Sequence, residues 1–150
     1  QVLVELSGGI KVKPYQVPHR DEFSETVAFE IKSSKKSVLF LPDIDSWSEW
    51  ESEYGHSLQE RVAAVDLAFL DATFFDNNEL PGRDMSEIPH PRMVETMEVF
   101  DNLPETEKNK VYFIHLNHTN PARFFTSPAY KNISERGYKI ANSNDSLCLD

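Results

Sequence analysis

The chain has 150 residues, 39% of them hydrophobic and 27% charged, which suits one soluble domain with a sizeable core. With 25 acidic residues against 15 basic ones, its formal net charge is -10, which argues against a nucleic-acid surface, since that needs clustered lysine and arginine. No apolar run is long enough to cross a membrane, and the one cysteine, Cys148, rules out an internal disulfide.

Gln1-Val-Leu-Val-Glu-Leu6 has neither a basic start nor a cleavage-site pattern, so no signal peptide is expected and a cytoplasmic setting is favoured over secretion. Ile10-Lys-Val-Lys13 alternates as a half-buried strand does, and Pro14 interrupts it. The next loop carries His19 beside Arg20, Asp21 and Glu22. Val27, Phe29 and Ile31 alternate with polar or small residues and predict a second strand. After the turn Ser33-Ser-Lys-Lys36, residues 37–41 form a near-continuous apolar strand, giving an antiparallel hairpin. His19 precedes that hairpin and Asp43 follows it, so antiparallel pairing brings the two to one sheet edge.

Ser46-Trp-Ser-Glu49 reads as a capping box, with Trp47, Trp50 and Tyr54 on one helical face and Gly55 at the C-terminal stop. Ser57-Leu-Gln-Glu60 is a second capping box, followed by the buried stripe Leu58, Val62 and Val65. Asp66-Leu-Ala-Phe-Leu-Asp71 predicts a strand ending in a carboxylate. Residues 77–87 read as a loop. Pro91 suits a first helical position, which makes His90 the expected N-cap of a helix carrying Met93, Met97 and Phe100. A polar connection, residues 103–109, leads to the strand Val111-Tyr-Phe-Ile114, which runs straight into His115 and His118. Ser127-Pro128 opens a last helix ending at Gly137. Residues 138–141 and 146–149 are expected as short strands, with Cys148 packed as a small apolar residue.

Three strand-to-loop junctions thus offer His19, Asp43 and His118, a set of hard and borderline metal ligands. Two histidines and an aspartate can hold one metal and leave a position open for water, and an aspartate can bridge two ions about 3.5–4 Å apart. There is no His-x-x-x-His helix pair and no glycine-rich phosphate loop.

The order of these motifs resembles the C-terminal half of a metallo-β-lactamase-fold hydrolase, most of all the pyrroloquinoline-quinone (PQQ) biosynthesis protein B type. The resemblance spans nearly the whole chain. It rests on Val17-Pro-His19 with its hairpin, Phe40-Leu-Pro-Asp43, Phe69-Leu-Asp-Ala-Thr-Phe74, Gly82-Arg-Asp-Met85 and Ile114-His-Leu-Asn-His-Thr-Asn-Pro121. It implies an α/β (α+β) fold, with residues 1–150 forming the C-terminal half of an αββα sandwich with a mixed sheet and flanking helices. The N-terminal half, which carries the family's His-x-His-x-Asp-His motif, is absent from the sequence.

By resemblance, His19, Asp43 and His118 take the metal-ligand positions and His115 a supporting one. His90 takes the place of a histidine that assists the chemistry, with Asp71 as the carboxylate beside it. The resemblance further implies a divalent cation, zinc before manganese or iron, in one or two copies. It implies a hydrolase that turns a metal-activated hydroxide on a small-molecule ester, amide or phosphodiester, linked to PQQ-type cofactor synthesis. The expected partners are that small molecule and the N-terminal half of the same fold, with a homo-oligomer admitted. The rival expectations are a non-catalytic metal- or small-molecule-binding carrier on the same scaffold, and a structural half with no intact site.

Overall fold

The computed structural model describes residues 2–20 and 22–149, so Gln1, Asp150 and the Asp21 of the His19 loop lie outside the described residues. Among the described residues seven strands form one sheet in the order of the chain: β1 (Val4–Glu5), β2 (Lys11–Val17), β3 (Thr26–Lys32), β4 (Ser37–Leu41), β5 (Leu67–Asp71), β6 (Val111–Ile114) and β7 (Lys139–Ile140). Pairing is antiparallel from β1 to β4 and parallel from β4 to β7. The switch follows from the connections. Two-strand turns serve the first half, whereas helices cross between the parallel strands: α1 (Trp47–Tyr54) and α2 (Leu58–Ala63) after β4, α3 (Met93–Val99) and α4 (Glu105–Lys108) after β5, and α5 (Pro128–Glu135) after β6.

Alternation decides which face the helices cover. Tyr15, Val17, Ala28, Leu39, Leu41, Ala68, Leu70, Val111 and Phe113 point to one side and form one core with Trp50, Val62, Met93, Met97, Phe100 and Ile133. The helices start where the sequence says for α1, whose Ser46 Oγ accepts the Glu49 N–H (3.3 Å) and whose Gly55 turns left-handed at φ 70°. Trp50 Nε1 then ties α1 to the β2 carbonyl of Gln16 (2.9 Å), and Trp47 Nε1 ties it to Thr96 of α3 (2.9 Å). The opposite face carries an in-register row, Phe29, Phe40, Phe69 and Tyr112. Among the described residues no helix covers it, and Phe40 is 39% exposed.

Several expectations need correction. The strand at Ile10 is not stopped by Pro14; β2 runs on to Val17, because β1 flanks only Lys11 and Val12 and Pro14 therefore occupies an edge position. Ser57 flanks α2 without a side-chain capping bond. The loop over residues 77–87 contains a 3₁₀ turn, Met85–Glu87, and the connection over 103–109 contains α4. Residues 146–149 form no strand. Leu147 and Leu149 instead rest in a hollow with Val38, Phe40 and Phe69, and Cys148 is exposed. Finally, His90 is not an N-cap. Met93 N–H bonds the Phe74 carbonyl (2.9 Å) and Arg92 bridges Phe74, so the chain stays extended through Arg92 and α3 begins after it.

Candidate metal centre

The site lies where β2, β4, β5 and β6 run into loops at one sheet edge. The Asp45 N–H bonds the Pro18 carbonyl (2.8 Å), which draws the loop after β4 against the loop after β2. His19 Nδ1 is 2.7 Å from Asp45 Oδ1, and His19 Nε2 is 3.3 Å from Asp43 Oδ2. A carboxylate only accepts, so Asp45 holds the proton on Nδ1 and aims Nε2 at Asp43.

Asp71, the last residue of β5, is fully buried. Its Oδ1 accepts from the Thr73 N–H (2.9 Å) and hydroxyl (2.7 Å). Its Oδ2 accepts from the Ile44 N–H (3.1 Å) and from His90 Nδ1 (2.8 Å). The Thr73 hydroxyl gives its proton to Asp71, so His115 Nδ1 donates to Thr73 Oγ1 (3.0 Å), and it stands 3.6 Å from Asp71 Oδ1. Burial alone would raise the Asp71 carboxyl; the neighbouring His115 imidazole and the hydrogen bonds from His90 and Thr73 together outweigh it and bring its pKa to about 2. The Asp71 carboxylate 3.6 Å away raises His115 above the ordinary imidazole value against the opposing effect of burial, helped by the charge of Asp43. His90 and His115 both have left-handed backbones, φ 82° and 62°. Such strain in non-glycine residues costs about 1–3 kcal/mol and gathers at functional sites.

Asp43, Asp71, His90 and His115 each offer an atom within 4.8 Å of the others, and among the described residues this is the group able to hold a metal ion. Asp43 Oδ1 is buried and has no hydrogen-bond partner among the described residues, although His90 Nδ1 lies 3.4 Å away, closer still to Asp71. An orphaned carboxylate oxygen among imidazoles whose Nδ1 atoms are tied back fits a divalent cation of borderline softness. Asp71, with four hydrogen bonds on its two oxygens, suits the part of anchor.

The structure therefore brings together His19, Asp43, Asp71, His90 and His115 of the residues singled out by sequence. It leaves His118 apart: that ring is exposed, its Nδ1 meets Asn117 Oδ1 (3.0 Å), and it does not join the group around Asp43. His115, expected only in support, stands in the cluster instead. The reason is position, since β6 ends at Ile114 and His115 is the first residue past it, while His118 is carried outward before the buried Asn120 fixes the loop to the Ala72 carbonyl (2.9 Å). Sequence reading missed Asp45 and Thr73 as orienting groups. Both sit two residues beyond a singled-out aspartate, which is the available signal. Beside His115 opens a cavity of about 530 Å³, lined among others by Arg123, Phe125, Tyr130 and Ile140.

The sheet that carries this edge has known counterparts. The chain belongs to the beta-lactamase superfamily: the family profile for the beta-lactamase superfamily domain matches residues 2–116. Within it, the chain is similar to coenzyme PQQ synthesis protein B of Gluconobacter oxydans, 27% identical over 131 residues that cover 84% of this chain and 41% of that protein. It is likewise similar to coenzyme PQQ synthesis protein B of Methylococcus capsulatus, 26% identical over 143 residues, covering 87% and 43%. The chain thus spans less than half the length of these relatives. Among solved structures, zinc-bound PqqB from Methylobacterium extorquens superposes with a TM-score of 0.71 at 20% identity, over 99% of this chain and 53% of that one. The metallo-beta-lactamase fold protein YhfI from Bacillus subtilis superposes with a TM-score of 0.54 at 14% identity, over 95% and 50%. The fold is that of the metallo-β-lactamases, and the resemblance read from the motifs is borne out.

Proposed function

We propose that this chain supplies one half of the metal centre of a metal-dependent hydrolase that acts on a small-molecule ester, amide or phosphodiester in PQQ-type cofactor synthesis. The observation that carries the reading is the unpartnered Asp43 Oδ1 among His19, His90 and His115. Asp43, His19, His90 and His115 would hold the cation, zinc first among the candidates, with manganese or iron as alternatives. A bound divalent cation would lower the pKa of a water to about 7 and polarise the scissile bond. Asp45 and Asp71 keep the imidazoles oriented. His90, where it is not engaged by a metal, can pass a proton to a leaving group, with Asp71 steadying its charge. The cavity beside His115 offers a small molecule apolar walls and the Arg123 guanidinium. The names of the relatives support the link to PQQ synthesis. The row of Phe29, Phe40, Phe69 and Tyr112, covered by no helix among the described residues and met at Phe40 and Phe69 by Leu147 and Leu149, supports an N-terminal half of the same fold as a further cover.

The test is elemental analysis of the full-length protein and its Asp43→Ala variant, followed by assays on ester, amide and phosphodiester probes. The expected result is one or two equivalents of divalent metal, lost with Asp43, and turnover that a chelator abolishes. Absence of metal from the full-length protein would overturn the reading. Metal without turnover of any probe would favour a carrier on the same scaffold.

A further inference from the structure

We infer that Arg92 is the positioning residue that sets the His90 imidazole in the cluster, an inference that rests in part on the metal-centre reading. His90 lies between Pro89 and Pro91. A residue before proline is pushed towards extended backbone, yet His90 is left-handed at φ 82°. Something must hold it there. From one side its N–H bonds the Asp45 carbonyl (3.2 Å). From the other, its carbonyl accepts from Arg92 Nη1 (2.5 Å).

Arg92 is only 3% exposed, and all five of its guanidinium donors have acceptors. Nε donates to Asn77 Oδ1 (2.8 Å), Nη1 to the carbonyls of His90 and Pro89 (3.4 Å for the latter), and Nη2 to the carbonyls of Ile88 (3.1 Å) and Met85. The Phe74 ring stacks on the guanidinium at 5.2 Å. Among the described residues no carboxylate pairs with that guanidinium; Glu95 bonds the Arg92 backbone N–H instead (2.9 Å). A buried cation without an anionic partner is costly, and an apolar residue would fill the space at less cost. Four of the five bonds converge on the backbone of the one segment that presents His90. The fork matches the carbonyls of residues 85, 88, 89 and 90, which a lysine, with three donors on one atom, cannot reproduce. Arg92 thus fixes the segment and, through it, the ring that meets Asp71 at 2.8 Å.

Two measurements on the full-length protein test this. The first is the nitrogen-15 and proton spectrum of the imidazoles in metal-free protein. In Arg92→Met the protected Nδ1–H of His90 is expected to be lost, while those of His19 and His115 persist. The second is cobalt(II) binding in a double-mutant cycle. Arg92→Met and His90→Ala are each expected to weaken binding by roughly 10–100-fold, as loss of an orienting partner or ligand does, and the double variant to be no weaker than His90→Ala. An unchanged His90 signal in folded Arg92→Met, or losses that add, would overturn the inference. If Arg92→Met does not fold, Arg92→Lys, which keeps the charge and loses the fork, takes its place in both. If the wild type binds no cobalt, the metal-centre reading falls, and the imidazole spectrum alone decides the role of Arg92.

Discussion

The two halves of the sheet reach the site by different means. The antiparallel half delivers His19 through local chain, with a hairpin between it and Asp43 and one part-exposed carboxylate, Asp45, to steady the ring. The parallel half delivers His90 and His115 across two helical crossovers and holds both through one fully buried carboxylate, Asp71. Asp43 follows β4, the strand where the pairing changes sense. Local connection tolerates an exposed clamp. Distant connection depends on a buried hub, so damage to the two halves should differ in size.

The largest effect is expected from Asp71→Ala. It strands the Ile44 and Thr73 donors and frees both histidines, and should lower stability by about 3–5 kcal/mol, the range for breaking a buried paired network, as read from urea unfolding. Acid should reveal the same hub. Asp71 ionises at about 2 in the fold against 3.8 in free chain. A carboxyl so depressed contributes stability that is complete above 3.8 and is lost as pH falls from there through 2. The loss should be roughly 2 kcal/mol at about 1.4 kcal/mol per unit, and should vanish in Asp71→Asn. Metal-free protein should also soften at the other end. His115 is raised, so its contribution is present below 6.5 and lost as pH rises through its folded value; unfolding midpoints across that window read it.

Asp45→Ala should cost the metal about 10-fold in affinity, the low end for an orienting partner, and change stability by less than about 1 kcal/mol, since the pair is part-exposed. Least of all, His118→Ala should leave metal content unchanged, while His115→Ala should deplete it. Equal losses in those two variants would break the distinction between the strand-end ring and the loop ring.

The difference between the halves also governs what could be read from sequence. The hairpin, the α1 cap at Ser46 and the strand ending in Asp71 follow from alternation and capping within a few residues, and the pairing of His19 with Asp43 follows from the hairpin. The choice between His115 and His118 depended not on the end of β6, which the sequence places at Ile114, but on the path of the loop beyond it, which Asn120 fixes to the distant Ala72 carbonyl. The extended path through Arg92 depended on the Met93–Phe74 bond, between segments far apart in the chain. Pro91 misled for that reason: a local helix signal yielded to a tertiary contact. The orienting roles of Asp45 and Thr73 are likewise invisible until side chains converge.

The hub at Asp71 has a kinetic consequence. Its partners are drawn from Ile44, Thr73, His90 and His115, so it cannot form until three separate stretches of chain have docked. Contacts of such long sequence separation close slowly, whereas a hairpin closes early. His19 and Asp43 should therefore meet first during folding, and the cluster should be complete only when β6, which carries His115 at its end, has settled. The ability to capture a cation would then mark the end of folding rather than its nucleus.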